Sequence, residues 1–158
     1  MIYIMSDTED SHNEEDSGFD ITEILKAVEN TENENIMKYT REKIFNMKDD
    51  ILQQLQFPEE KLQDYHSKLK NFRYVDDLSD LNNGSYIRWI NISNPERLQL
   101  TNGGIICDIQ FFDSGVQILC KNPYNKFYQI KFDNCILFQK LTNQEQVILD
   151  VISYLNNE

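Results

Sequence analysis

The side chains best suited to chemistry in this 158-residue chain are two histidines, His12 and His66, and three cysteines, Cys107, Cys120 and Cys135. General acid–base catalysis needs a titratable group held against a partner inside a cleft. His12 sits in an acidic run and His66 lies beside the apolar stripe of a predicted helix, so neither reads as a catalytic base. A structural zinc site uses cysteines in close pairs, two to four residues apart. The three cysteines are far apart in sequence and read as reduced, buried thiols. Neither a glycine-rich phosphate loop nor a nucleophile elbow is present. The sequence therefore predicts a non-enzymatic protein with no catalytic residues, no metal and no cofactor.

Recognition chemistry is better represented. Tyr86, Arg88 and Trp89, the chain's single tryptophan, stand close together, and Tyr124, Phe127 and Lys131 follow. With Lys121, Lys126 and Tyr128, these residues suit a nucleic-acid strand or an acidic peptide, because rings stack on flat groups and cations meet anions. The plainer reading of Arg88 is that it snorkels or pairs with an acid such as Asp108. A second candidate surface is Ile21, Ile24, Leu25 and Val28, which share one face of a short helix.

These residues need elements to hold them. Ser6 to Gly18 carries six acidic residues and no Lys or Arg. Such a run cannot bury enough surface to offset its ordering entropy, so residues 1–19 are expected to be a disordered acidic tail. Ser6, Ser11 and Ser17 each precede an acid by three places, a pattern that acidophilic kinases favour. Asp20 and Glu23 resemble a capping box. The helix they open is too short to stand alone, and it docks either on its own domain or on a partner. Thr31 to Gln56 is predicted as one longer helix, with Met37, Ile44, Met47, Ile51, Leu52 and Leu55 at helical spacing. Phe57-Pro58 ends it, and Leu62, Tyr65, Leu69 and Phe72 follow on a second helix. So short a link predicts an antiparallel helical hairpin, whose stripes are core or a seam for self-association.

Beyond Lys70 the period changes to alternation. Strands are expected at Tyr86–Ile92, Ile105–Phe112, Val116–Lys121, Phe127–Phe132 and Cys135–Gln139. The turns between them are marked by Asn102-Gly103, Asp113-Ser114-Gly115, Asn122-Pro123 and Asp133-Asn134. Strict alternation puts Ile105, Cys107, Ile109 and Phe111 inward, with Val116, Ile118 and Cys120, and with Tyr128, Ile130 and Phe132. Tyr86 to Ile92 is apolar on both faces, so it should be covered on both sides. Thr142 and Glu145 form a capping box ahead of a final helix. Five strands in consecutive hairpins hide their edges best by curling into a barrel. The expected fold is α+β: a tail (1–19), a helical segment (20–71), then a small five-stranded antiparallel β-barrel with a C-terminal helix (72–158).

The formal net charge is −12. Met1 to Lys70 holds eight basic against seventeen acidic residues, and Asn71 to Glu158 holds seven against ten. A duplex-binding surface needs a basic stripe, so wholesale phosphate binding is disfavoured. The apolar opening Met1-Ile2-Tyr3-Ile4-Met5 is too short for a signal peptide, and Met5-Ser6-Asp7 looks like a more ordinary start. Nothing approaches a membrane span. An intracellular location is expected.

The stretch Asp80-Leu81-Asn82-Asn83-Gly84-Ser85-Tyr86-Ile87-Arg88 resembles the opening of small barrels of the Tudor, KOW and Src-homology-3 type, over roughly Phe72 to Lys140. That resemblance implies an aromatic cage for methylated side chains, to which Tyr86, Trp89, Tyr124 and Tyr128 would contribute. The richness in Asn, Ile, Lys and Asp, with the acidic tail, is similar to uncharacterised small proteins of large AT-rich DNA viruses. This implies a virion or infected-cell factor. The expected function is a protein-interaction or scaffold module; the alternative is a nucleic-acid-binding or transcription accessory protein using the barrel surface.

Overall fold

The computed structural model describes residues 18–157. The acidic run, its three serines and both candidate starts lie outside the described residues. By their contacts the described residues fall into two units: residues 42–141, and residues 18–41 together with 142–157.

The first unit is built on an antiparallel sheet of six strands: β1 (Phe72–Val75), β2 (Tyr86–Asn91), β3 (Gly104–Phe112), β4 (Gly115–Lys121), β5 (Phe127–Lys131) and β6 (Cys135–Lys140). Their order is β1-β6-β2-β3-β4-β5. The expected five-stranded closed barrel is therefore corrected on two points. Phe72-Arg-Tyr-Val is a sixth strand, paired with Lys140 to Leu137 of β6. The two end strands, β1 and β5, are not paired with each other, so the sheet is not closed.

One face of the sheet is buried on itself. Val75, Ile87, Trp89, Ile106, Ile118, Cys120, Cys135 and Leu137 form one cluster with Leu81, and Ile109, Ile130 and Phe132 pack against it. All come from the sheet and the turns beside it. Ile87, Ile118 and Cys120 are fully buried. A flat sheet cannot bury its own face, so the strands curl.

The other face is covered over β1, β6 and β2 by the helical hairpin α2 (Arg41–Gln54) and α3 (Glu59–Lys68). Leu52, Leu62, Tyr65 and Leu69 pack on Phe72, Ile90 and Phe138. Each such apolar side chain contributes roughly 1.5–3 kcal/mol on burial. The two-sided cover expected for β2 is what is found: Ile87 and Trp89 face the curled interior, and Ile90 faces the hairpin. Asp49 of α2 joins His66 of α3 at 2.9 Å, and Phe45 stacks on the same imidazole. Lys48 is buried and donates to the Leu69 carbonyl at 2.8 Å. Burial lowers its ammonium to about 8. A buried pair, Arg73 and Asp80, ties β1 to the turn that follows it, at 3.5 Å. Gln139 of β6 secures the same turn, donating to the Asp80 carbonyl and accepting from the Asn82 N–H.

Strict alternation fails once, on β3. Ile106 pairs with Cys120 but Asp108 pairs with Leu119, so Cys107 is an extra, bulged residue. A bulge reverses which side chains face inward beyond it. Ile106 and Ile109 point into the cluster, Ile105, Cys107 and Phe111 are exposed, and the expected inward placement of Ile105, Cys107 and Phe111 is corrected.

The second unit is helical. Its α1 (Ile21–Glu29) is capped by Asp20, whose carboxylate accepts from the Thr22 N–H. The single helix expected over Thr31–Gln56 is corrected to a 3₁₀ segment, Thr31–Lys38, and a separate α2, with extended backbone at Tyr39 between them. Polar side chains favour that break: Asn30 caps Glu32, and Asn33 donates to the Ala27 carbonyl, local bonds that compete with α-helix. The last helix, α4 (Asn143–Leu155), starts with the expected capping box of Thr142 and Glu145. It packs with α1. Phe19 meets Tyr154 edge to face, Gln144 accepts from Asn30 and Asn33, and Arg41 pairs with Asp150 at 2.6 Å. No helix among the described residues is long and apolar enough to cross a membrane.

Candidate recognition pocket in the sheet unit

β2 pairs with β3 only at Tyr86 and Ile87, and beyond them β2 and β5 border an opening. There a pocket of about 640 Å³ is lined by Trp89 and Asn91 of β2, the Thr101–Gly103 loop, the Asn122–Tyr124 turn, and Tyr128 to Ile130 of β5.

Each wall has a local cause. Thr101 is bound to β2 twice, its N–H donating to the Trp89 carbonyl and its hydroxyl accepting from the Trp89 N–H. Arg88 adds a third bond, from Nε to the Thr101 carbonyl at 2.8 Å. Gly103 has φ of +85°, and a Cβ there would run into the Ile87 carbonyl and the Arg88 side chain. Only glycine lets this loop lie against β2. Across the opening, the Asn122 side chain accepts from the backbone N–H groups of Tyr124 and Lys126, both at 2.9 Å. Asn125 takes φ of +64°, a region that asparagine tolerates. The turn is thus held by its own side chain, and it presents Tyr124 with 84% of its surface open.

The lining is aromatic and amide in character. Trp89 is the buried floor, Tyr124 and Tyr128 are exposed walls, and Asn91, Asn102 and Asn122 supply polar groups. None of the lining residues is an acid, a base or a thiol. Such a site can hold a side chain by ring contact and orient it by amide hydrogen bonds. Groups of three or more His, Cys, Asp or Glu residues able to hold a metal are absent among the described residues.

The ten residues singled out from the sequence separate into distinct places. Trp89 and Tyr124 meet in the pocket, joined by Tyr128. Tyr86 does not, because it lies on the hairpin face of β2, its ring near Phe72 and its hydroxyl donating to the Asn102 carbonyl. Arg88 is on that same face and serves the Thr101 carbonyl, while Asp108 accepts from Ile109 and Gln110. Phe127 and Lys131 lie on the outer face of β5 and are exposed. On α1, Ile21, Leu25 and Val28 are exposed and Ile24 is half-buried. The contributions of Thr101, Asn102, Gly103 and Asn122 were unexpected. Asn102-Gly103 and Asn122-Pro123 signalled turns, but nothing local said that the two turns face one opening.

Cys120 and Cys135 are buried in the curled core, and burial pushes their thiols up to about 12 and about 11. No protein-family model, curated protein or solved structure matches the chain.

Proposed function

We propose that this chain is a non-enzymatic protein-interaction module whose recognition site is the pocket floored by Trp89, with the exposed stripe of α1 as a second contact surface. The observation that carries this reading is Tyr124, an aromatic side chain held almost fully in solvent by a turn that its own Asn122 locks. Interaction sites are enriched in aromatic residues. Three rings around one opening suit an apolar or cationic side chain, because ring faces attract cations. The meander from β2 to β5, with β6 returning beside β2, supports the likeness to small barrels that use such cages. Buried, unpaired thiols at Cys120 and Cys135 support a reducing, intracellular setting.

The test is site-specific photocrosslinking of the full chain in its own cell. The substitution Tyr124→p-benzoylphenylalanine should give discrete protein adducts that Tyr128→Ala removes, whereas the same probe at exposed Glu96 should not. Identical adducts from both positions overturn the reading.

One observation favours a second reading as a nucleic-acid accessory protein. Lys121, Lys126 and Lys131 accompany Tyr124, Phe127 and Tyr128 on neighbouring strands and the turn between them. A gel shift with single-stranded DNA that weakens steeply with salt would support it.

A further inference from the structure

Strand β5 ends the sheet on one side, and no strand among the described residues pairs with its outer edge. Natural proteins commonly blunt such edges, because the free N–H and C=O groups accept another strand. Here the edge is flanked by exposed rings. Tyr128 and Ile130 face the pocket side, and Phe127, Gln129 and Lys131 face the outer side. Phe127 is 61% exposed.

The charge around this edge departs from that of the chain. From Ser114 to Phe132 there are three lysines, Lys121, Lys126 and Lys131, and no Asp or Glu, within a chain of net charge −12. On the outer face, Lys121 pairs across from Phe127, and Lys131 from Gln117. A strand laid along β5 would stand about 4.8 Å from it, and its side chains would alternate between the two faces. Every second side chain would lie on the lysine face. The others would lie on the face of Tyr128 and the pocket.

We propose that β5 takes an extended acidic segment of a partner protein as a seventh strand, its acidic side chains meeting Lys121 and Lys131 and its apolar side chains entering the Trp89–Tyr124–Tyr128 pocket. The inference rests on the interaction reading and names the kind of partner. Main-chain bonds supply affinity in this mode, and pockets for alternate side chains supply specificity. A phosphate backbone would satisfy the lysines but would leave the edge N–H and C=O groups without a matching ladder.

The probe is the capped heptapeptide Glu-Val-Glu-Phe-Glu-Val-Glu, titrated into the full chain while Trp89 emission is followed. The peptide has no tryptophan, so the signal comes from the pocket floor alone. Two N-methylated forms, one blocking the odd and one the even amides, separate strand pairing from charge. One form should weaken binding about tenfold or more, and the other by far less, because an added strand bonds to β5 through alternate residues only. A block-ordered peptide of the same composition should also bind about tenfold more weakly. The double substitution Lys121→Glu and Lys131→Glu should weaken the alternating peptide by a similar factor.

Equal binding of all four peptides, or no Trp89 response to the alternating one, overturns the proposal. So does tighter binding of every peptide by Lys131→Gln, which would mean that the lysine only guards the edge. A fifteen-residue oligo-dT that binds more tightly and displaces the peptide overturns it in favour of nucleic acid. In each of these cases the Tyr124 crosslinking result still decides the interaction reading separately.

Discussion

Two halves of one sheet receive different treatment. In the half made of β1, β6 and β2, the hairpin α2–α3 covers the outer face and the curled core covers the inner one. Ile87, Ile90, Leu137 and Phe138 are buried there almost completely. In the half made of β3, β4 and β5, the hairpin does not cover the outer face, and the core cluster covers the inner face only in part. Ile105, Phe112 and Phe127 stand in solvent on the outer face. The difference shows that a hairpin of two short helices is too narrow to roof six strands. It makes one half a scaffold and leaves the other half as surface.

Substitutions can break that comparison. Ile90→Ala, under the hairpin, should cost about 2–5 kcal/mol in a denaturant titration, since it loses transfer energy and leaves a cavity. A cost below about 1 kcal/mol would mean that the hairpin does not hold β2.

The pH dependence of Lys48 sharpens the same half. Its ammonium is lowered from 10.5 to about 8 by burial under the hairpin. Between these values the unfolded chain binds more protons than the folded one, so this group makes stability rise with pH. The slope is at most about 1.4 kcal/mol per pH unit. The thiols of Cys120 and Cys135, pushed up to about 12 and about 11, act in the opposite direction once unfolded thiols ionise. Referring the chain to Lys48→Met removes that opposition. Denaturation midpoints of the original chain should climb relative to Lys48→Met from pH 8 to pH 9, values inside the lysine window. A flat difference would place the ammonium in water.

The smallest effect belongs to the bare half. Phe127→Ala should change stability by no more than about 0.5 kcal/mol, as at other exposed positions. A larger loss would mean that the outer face of β5 is covered after all.

The readable part of this fold was the part set by neighbours in sequence. Alternation located β2 through β6, and the two apolar faces of Tyr86–Ile92 correctly required two covers. Thr142 and Glu145 marked the start of α4 because a capping box is complete within four residues. What escaped depended on distant partners. Phe72-Arg-Tyr-Val is short and carries a charged residue, and it becomes a strand by pairing with residues 137–140 and burying Arg73 against Asp80. The bulge at Cys107 has no glycine to announce it, yet one extra residue exchanges the faces of Ile105 and Ile106 while Ile109 stays inward as expected. In the pocket, Trp89 and Tyr124 were recognisable as candidates from their type. That Tyr86 turns away from them follows from its place on the hairpin face of β2, which alternation fixed but which residue type alone could not weigh.

The bulge on β3 also sorts the sulfur chemistry of the chain. Cys107 is left outside, while Cys120 and Cys135 sit in the core with thiols that resist ionisation. An alkylating dye added to the folded protein has one ready nucleophile among the described cysteines, two strands away from β5. Nature has thereby supplied a single attachment point for a fluorophore or spin label, without any engineering of the chain.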